Sequence, residues 1–235
     1  MKNIAVILAG GKGSRMGVDI PKQFIPLADG RTVLETCVTA FEQNEHIDEI
    51  AIVMLEDHIA QAQAILPADR FPKVHHWIPG GKERWESSLN AIMDISKTIQ
   101  SPADSNLLIH DCARPFISQD LITRVCEALK HHQAVSVAVA VTDTVYCVKP
   151  DGLLEDIPPR AYLRRAQTPQ AFRLSLLLDA YASPAFNEYI KSSALAPTDD
   201  VSVVFRTIAN QNIFILPGEE GNRKITFAED INPKN

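Results

Sequence analysis

The sequence lacks any apolar run of about 18 residues, the length a membrane-crossing helix needs, so no segment reads as a transmembrane span. It also lacks a leader pattern. Met1-Lys2-Asn3 runs straight into a strand-like segment, without the charged start, apolar middle and small-residue cleavage site of a signal peptide, and a cytoplasmic location is therefore expected. Cysteine is scarce: Cys37, Cys112, Cys126 and Cys147 stand far apart with no CxxC pair, which argues against a disulfide framework or a thiolate zinc site. The histidine pairs His75-His76 and His131-His132 have no carboxylate or cysteine at metal-ligand spacing, and no metal is assigned to them. Clusters of Lys and Arg are missing too, and 23 cationic against 29 acidic residues leave a net charge of −6. Non-specific binding to nucleic acid or to an anionic membrane is thereby disfavoured, and any phosphate recognition must be local.

What remains is an ordinary globular composition, 46% hydrophobic and 22% charged over 235 residues, long enough for a substantial core. No linker-like stretch interrupts it, so one domain over residues 1–235 is expected. Short β-branched apolar runs alternate with stretches of helical period, the pattern of a mostly parallel sheet covered by helices on both faces. The fold class expected is α/β and Rossmann-like. Strands are predicted at 4–8, 50–54, 74–78, 107–110, 134–141, 213–216 and 224–226, and helices at 32–44, 57–66, 86–98, 118–132, 173–182 and 199–208.

Residues 142–165 break the rhythm. Pro150-Asp151-Gly152 is a turn signal between two extended segments, and Pro158-Pro159 follows. The pattern is a protruding β-hairpin arm, and Val145, Tyr146, Val148, Leu153 and Leu154 on it cannot be buried by two strands alone. Either a second copy of the chain covers them or the hairpin folds back on its own domain; the pattern weighs the two equally.

Directly after the first strand comes Leu8-Ala9-Gly10-Gly11-Lys12-Gly13-Ser14-Arg15-Met16-Gly17. A glycine-rich turn at the carboxyl end of a strand is where open α/β sheets bind ligands, and its bare backbone can cradle phosphates. It is not a Walker A loop, since no GK[ST] follows, and Met16 stands where a dinucleotide fingerprint needs its third glycine. Pro21-Lys22-Gln23-Phe24 then places another cation near Arg15. Taken alone, Lys22 reads more simply as a solvated lysine.

Together these two segments resemble the signature of the nucleotidyltransferase family typified by 2-C-methyl-D-erythritol 4-phosphate cytidylyltransferase, with ribitol-5-phosphate cytidylyltransferase as a close relative. The resemblance recurs in order along nearly the whole chain. Gly80-Gly81-Lys82-Glu83-Arg84 with Ser87-Ser88 is similar to the family's nucleotide-recognition element, His110-Asp111-Cys112-Ala113-Arg114-Pro115 to its HDAARP segment, and Thr142-Asp143-Thr144 to its arm motif. Gln167-Thr168-Pro169-Gln170-Ala171-Phe172, Thr198-Asp199-Asp200 and Asn222-Arg223-Lys224-Ile225-Thr226 match the remaining blocks.

The resemblance implies transfer of CMP from CTP to a sugar-alcohol phosphate, giving a CDP-alcohol and pyrophosphate. Two anions must be brought together and charge builds on the phosphoryl oxygens, so cations and oriented N–H groups matter more than a proton-transfer base. By resemblance, Arg15, Lys22 and Lys224 would be the catalytic cations, and backbone groups of Ala9, Gly10 and Gly11 would hold CTP. Gly81 and Ser87 would position the base and ribose, with a purine excluded by close backbone. Asp111 would help organise Mg²⁺ bound chiefly by the triphosphate. Arg160 and Thr168, with Thr144 from the other subunit's arm in a homodimer, would bind the acceptor phosphate, joined by Arg114 and Thr198. Blander readings stand beside these. Arg114 would simply tie down a loop, Arg84 would orient the nucleotide loop rather than touch nucleotide, and Thr198-Asp199 would be a helix N-cap; Thr198 is expected to be both cap and site residue.

The acceptor is less sharply marked. The arm motif of methylerythritol enzymes usually carries a lysine where Tyr146 stands, while Cys112 and Lys82 are further departures. 2-C-methyl-D-erythritol 4-phosphate is the preferred acceptor, with D-ribitol 5-phosphate next. A sugar-1-phosphate nucleotidyltransferase, a silent nucleotide-binding module and a dinucleotide-dependent dehydrogenase are the remoter alternatives.

Overall fold

The computed structural model describes residues 1–11, 20–191 and 197–231. Its centre is a seven-stranded sheet of order β3-β2-β1-β4-β8-β5-β9. The strands are β1 (Lys2–Leu8), β2 (Glu49–Met54), β3 (Val74–Pro79), β4 (Ser105–Asp111), β5 (Ala134–Ala140), β8 (Arg164–Arg173) and β9 (Phe214–Pro217). β8 alone runs antiparallel, pairing with β4 on one side and β5 on the other. Chain order moves outward from β1 through β2 to β3, then returns to lay β4 on the other side of β1. That reversal opens a crevice at the carboxyl ends of β1 and β4, the topological switch point of an open α/β sheet.

Alternation along the central strands explains why they read as unbroken apolar runs. Ala5 and Ile7 of β1, Ile50, Ile52 and Met54 of β2 and Leu108 of β4 face one core. Ile4 and Val6, Ala51 and Val53, and Leu107 and Ile109 face the other. Both faces must therefore be covered. On the first face lie α1 (Val33–Glu42), α2 (Ile59–Ile65) and α4 (Gln119–Ala128); on the second lie α3 (Arg84–Thr98), α5 (Leu174–Ala182), α6 (Pro184–Lys191) and α7 (Asp200–Thr207). The starts of the helices follow local chemistry. Thr32 accepts from the Glu35 N–H at α1, Ser118 from Leu121 at α4 and Asp199 from Ser202 at α7. No helix among the described residues is long and apolar enough to cross a membrane.

Several predicted elements change. β8 was not expected, because its Gln167-Thr168-Pro169-Gln170 run is polar and holds a proline, which argues against a central strand. The register resolves this: β8 pairs Gln170 with Ser136 and Ala166 with Ala138, leaving residues 167–169 in a bulge where proline is tolerated. The predicted strand at 224–226 is irregular chain instead, since the Ile225 N–H donates to the Ala113 carbonyl and its own carbonyl accepts from Lys22 Nζ. Thr198 is not the cap of α7. Asp199 takes that position, and Thr198 is exposed one residue earlier.

The arm is present as a small separate hairpin, β6 (Cys147–Val148) against β7 (Leu154–Asp156), turned through Gly152 at φ +86°. Tyr146, Leu153, Leu154 and Ile157 are each more than half exposed, and Tyr162 is 85% exposed. The hairpin does not fold back to bury its apolar face on its own domain.

Candidate active site

The carboxyl ends of the central strands are laced together by backbone bonds. Ala9 N–H donates to the Val53 carbonyl, Gly80 N–H to Met54 and Cys112 N–H to Leu8, so the loops leaving β1, β3 and β4 converge. They enclose a cavity of about 1100 Å³. Of the residues singled out from sequence, Ala9, Gly10, Gly11, Lys22, Gly81, Ser87, Asp111 and Lys224 all line it, together with Arg84. Arg15 lies outside the described residues. A Cβ at Gly10 or Gly11 would meet no atom of the described residues within 4 Å beyond its own chain neighbours, so among those residues the missing side chains leave room in the cavity itself.

Gly81 is glycine for a different reason. A Cβ there would collide with the Glu86 side chain, which is fixed in a capping box at the start of α3. Glu86 Oε2 accepts from the N–H groups of Lys82 (2.6 Å) and Glu83 (3.1 Å), and Ser87 Oγ accepts from the Gly81 N–H at 3.0 Å. The loop is thus held by bonds within the protein, and its tightness is set by side chains in the first turn of the helix.

Charge alternates from the protein interior out into the cavity. Asp200, fully buried at the first turn of α7, accepts from Arg84 Nη1 at 2.6 Å and from the Tyr181 hydroxyl at 3.0 Å. Arg84 Nε faces Asp111 Oδ1 at 3.5 Å, and Asp111 Oδ2 accepts from Lys224 Nζ at 2.7 Å. Burial opposes the charge on Asp111, but Arg84 and Lys224 outweigh it and hold the carboxyl well below the usual carboxylate range. Burial likewise disfavours the Arg84 charge, and Asp200 and Asp111 together raise its pKa above the ordinary guanidinium value. Lys22 Nζ reaches the same region and donates to the Ile225 carbonyl at 2.7 Å, one residue from Lys224.

Thr168 and Arg114 sit behind the cavity wall. The Thr168 hydroxyl accepts from the Asp111 N–H and meets His110 Nδ1, both at 3.1 Å, while His110 Nε2 faces the Arg114 carbonyl at 3.1 Å. Burial pushes the fully enclosed His110 down to about 4, so the ring is neutral at pH 7. A neutral ring facing a carbonyl carries its proton on Nε2, and Nδ1 then accepts from Thr168. Arg114 donates to the carbonyls of Asn222 (2.9 Å) and Ala166 (3.3 Å), tying its loop to two neighbouring segments. Thr144 and Arg160 lie on the exposed arm, Arg160 donating to the Thr142 carbonyl, and neither lines the cavity of this chain.

The residues that sequence reasoning missed are those that hold others in place. Asp200 was quoted only inside a block, and His110 and Asn222 only as neighbours of charged residues. His110 and Asn222 stand close in sequence to Asp111 and Lys224, but the partners of Asp200, His110 and Asn222 are 116, 58 and 54 residues away.

Comparison with known proteins gives the family. The profile of the 2-C-methyl-D-erythritol 4-phosphate cytidylyltransferase family matches residues 3–233. A 2-C-methyl-D-erythritol 4-phosphate cytidylyltransferase of Thermobifida fusca is 42% identical over 97% of this chain and 89% of its own length. The bifunctional ribulose 5-phosphate reductase/CDP-ribitol pyrophosphorylase Bcs1 of Haemophilus influenzae is 37% identical over 98% of this chain, which spans 47% of that longer protein. Among solved structures, the 4-diphosphocytidyl-2C-methyl-D-erythritol synthase of Anaerococcus prevotii superposes with a TM-score of 0.80 at 29% identity, covering 98% of this chain and 92% of the other.

Proposed function

The chain belongs to the 2-C-methyl-D-erythritol 4-phosphate cytidylyltransferase family and is a CTP-dependent cytidylyltransferase, and we propose that its acceptor is 2-C-methyl-D-erythritol 4-phosphate. An oxygen of the acceptor phosphate attacks the α-phosphorus of CTP. The bond from that phosphorus to the α,β-bridging oxygen breaks, pyrophosphate leaves with the electron pair, and a diphosphate linkage forms. The attacking phosphate is ionised near neutral pH, so no general base is needed; the barrier lies in uniting two anions and stabilising the charge that moves to the leaving group.

The observation that carries this reading is the convergence of Lys22 and Lys224 on one cavity, beside the bare backbone of Ala9-Gly10-Gly11 and within reach of Asp111. The glycine turn receives the triphosphate, the two lysines face its α-phosphate, and Gly81 and Ser87 form the tight floor against which a pyrimidine and its ribose fit. Arg15, in the same glycine-rich segment of the sequence, supplies a third cation in this reading. Lys224 must exchange Asp111 for phosphate when CTP binds, which leaves an ionised carboxylate beside the triphosphate.

That carboxylate suits Mg²⁺, a hard ion commonly held by one or two carboxylates plus substrate phosphates. Among the described residues no group of three or more His, Cys, Asp or Glu is arranged to hold a metal, so the ion would take most of its ligands from CTP and water, with Asp111 helping. Bound there, Mg²⁺ would neutralise triphosphate charge and orient the leaving group.

The exposed apolar arm supports a homodimer in which Thr144, Arg160 and the partner's cavity complete the acceptor site; Thr168 and Arg114 contribute by fixing the Asp111 loop. Sedimentation at micromolar concentration should give twice the monomer mass, and a monomer would remove the arm from the acceptor site. The acceptor itself is tested by pyrophosphate release from CTP and Mg²⁺, with 2-C-methyl-D-erythritol 4-phosphate and D-ribitol 5-phosphate compared at matched low concentrations. A higher kcat/KM for the first is expected. Tyr146, standing where the arm lysine is usual, favours ribitol phosphate as the second reading, and an excess for that acceptor would establish it.

A further inference from the structure

Lys224 belongs to no helix or strand, yet its ammonium must be placed to within a fraction of an ångström to act on a phosphoryl group. The strap that carries it, residues 218–226, is held at four points. Gly218 N–H donates to the Ala138 carbonyl, and a Cβ at Gly218 would strike Gln167 Oε1 and lie 2.8 Å from Val137 Cγ1, so the strap enters against β8 and β5 with no slack. Gln167 Nε2 donates to the Glu219 carbonyl at 2.8 Å. At the far end, Ile225 is fully buried, its N–H bonded to Ala113 at 2.7 Å and its carbonyl to Lys22.

Between these ends stands Asn222, also fully buried. Its Nδ2 donates to the Thr168 carbonyl at 2.8 Å and to Gln167 Oε1 at 3.3 Å, its N–H donates to Glu219 at 3.0 Å, and its own carbonyl accepts from Arg114 Nη1 at 2.9 Å. A single side chain thus joins the strap to the bulge of β8, and its backbone carbonyl joins the same strap to the Asp111–Arg114 turn. Lys224 is two residues further on. With Asn222 and Ile225 both sealed in the interior, the chain between them has room only for a short outward loop, and Lys224 Nζ reaches Asp111 from it.

We propose that Asn222 is the positioning residue for Lys224: its amide pins the strap to β8 and thereby sets where the ammonium meets the α-phosphate. It is buried and is not among the residues that line the cavity. The proposal rests on Lys224 acting on the triphosphate. The nucleotide floor of Gly80, Gly81 and Ser87 is built on β3 and α3, so CTP should still bind when the strap loosens.

The test is a thermodynamic cycle on kcat with CTP, Mg²⁺ and the preferred acceptor, using Asn222→Ala, Lys224→Ala and the double variant. Asn222→Ala should lower kcat by roughly 10- to 100-fold, the penalty of misplacing a group by about an ångström, with KM for CTP within about threefold of the parent. In the Lys224→Ala background the same substitution should change kcat by less than about threefold, because there is no ammonium left to place. Asn222→Ser, which keeps a short donor and less disturbance of packing, should fall between the parent and Asn222→Ala, and gives the same comparison if the alanine variant does not fold. An equal loss in both backgrounds would mean that Asn222 acts through general stability, and would overturn the proposal while leaving Lys224 in its role. Full activity of Lys224→Ala would remove that lysine from the reaction and the positioning role with it.

Discussion

Asp200 is the residue whose removal should reveal how the site is built. Its carboxylate has no exposure to solvent and answers the Arg84 guanidinium at 2.6 Å, with the Tyr181 hydroxyl on its other oxygen. Truncating one partner of a buried pair generally destabilises by about 3–5 kcal/mol. Here the lower end applies, since the Arg84 side chain is 25% exposed and can turn toward Asp111, already 3.5 Å from its Nε. The stranded Tyr181 hydroxyl adds about 1 kcal/mol, giving about 4 kcal/mol for Asp200→Ala. In a chain of this size that corresponds to a fall in Tm of about 8–16 °C. Asp200→Asn keeps the volume and an oxygen for Arg84, and the Tyr181 hydroxyl can turn to accept from the new amide, so a loss of only about 1–2 kcal/mol is expected from weakening a charge-assisted bond. Because Arg84 opens α3, which carries Glu86 and Ser87 to the cavity, both variants should also raise KM for CTP. Urea and thermal melts with steady-state kinetics provide the check. An alanine variant within about 1 kcal/mol of the parent, or an asparagine variant as damaged as alanine, would refute the electrostatic reasoning.

Other outcomes follow from the same geometry. His110 titrates near 4 when folded against an ordinary 6.5, so between those values the unfolded chain binds the extra proton and stability falls as pH is lowered, by up to roughly 3 kcal/mol; it is fully retained above 6.5. His110→Asn should flatten that part of the stability profile, and an unchanged slope would show that another group titrates there. Gly81→Ala drives a Cβ into Glu86 and breaks the capping box, and KM for CTP should rise roughly tenfold with kcat little changed; a kcat effect without a KM effect would place Gly81 elsewhere in the reaction. Arg160→Ala should raise the acceptor's KM far more than that of CTP, since a guanidinium suits a phosphate dianion and Arg160 stands outside the nucleotide cavity. Equal effects on both substrates would remove it as an acceptor-phosphate ligand.

The part of the cavity proposed to take the nucleotide was legible in the sequence because it is built from backbone. Ala9-Gly10-Gly11 and Gly80-Gly81 announce close approach by lacking side chains, and each follows an apolar strand whose end is easy to place. Lys22 was ambiguous as a lone exposed cation. Its bond to the Ile225 carbonyl, 203 residues away in sequence, places it one residue from Lys224. Asp200 was hidden because a helix-start aspartate reads first as a cap, and Asp199 beside it does serve as one. β8 was hidden for the opposite reason: its polar residues make sense on a central strand only through their distant partners, Gln167 bonding the strap, Thr168 the Asp111 turn and Gln170 the cap of α7, with Pro169 accommodated in the bulge.

By itself, then, the sequence determined the sheet-and-helix class, the glycine turn, the arm and the family, because hydrophobic period and bare backbone are local properties that survive in one dimension. The tertiary structure alone decided the electrostatics: the line from Asp200 through Arg84 and Asp111 to Lys224, the neutral His110, and the anchoring of the strap by Asn222. Each depends on burial and on partners drawn from distant segments. Coulomb and hydrogen-bond energies are fixed by distance and dielectric, and neither is written in the spacing of residues along a chain.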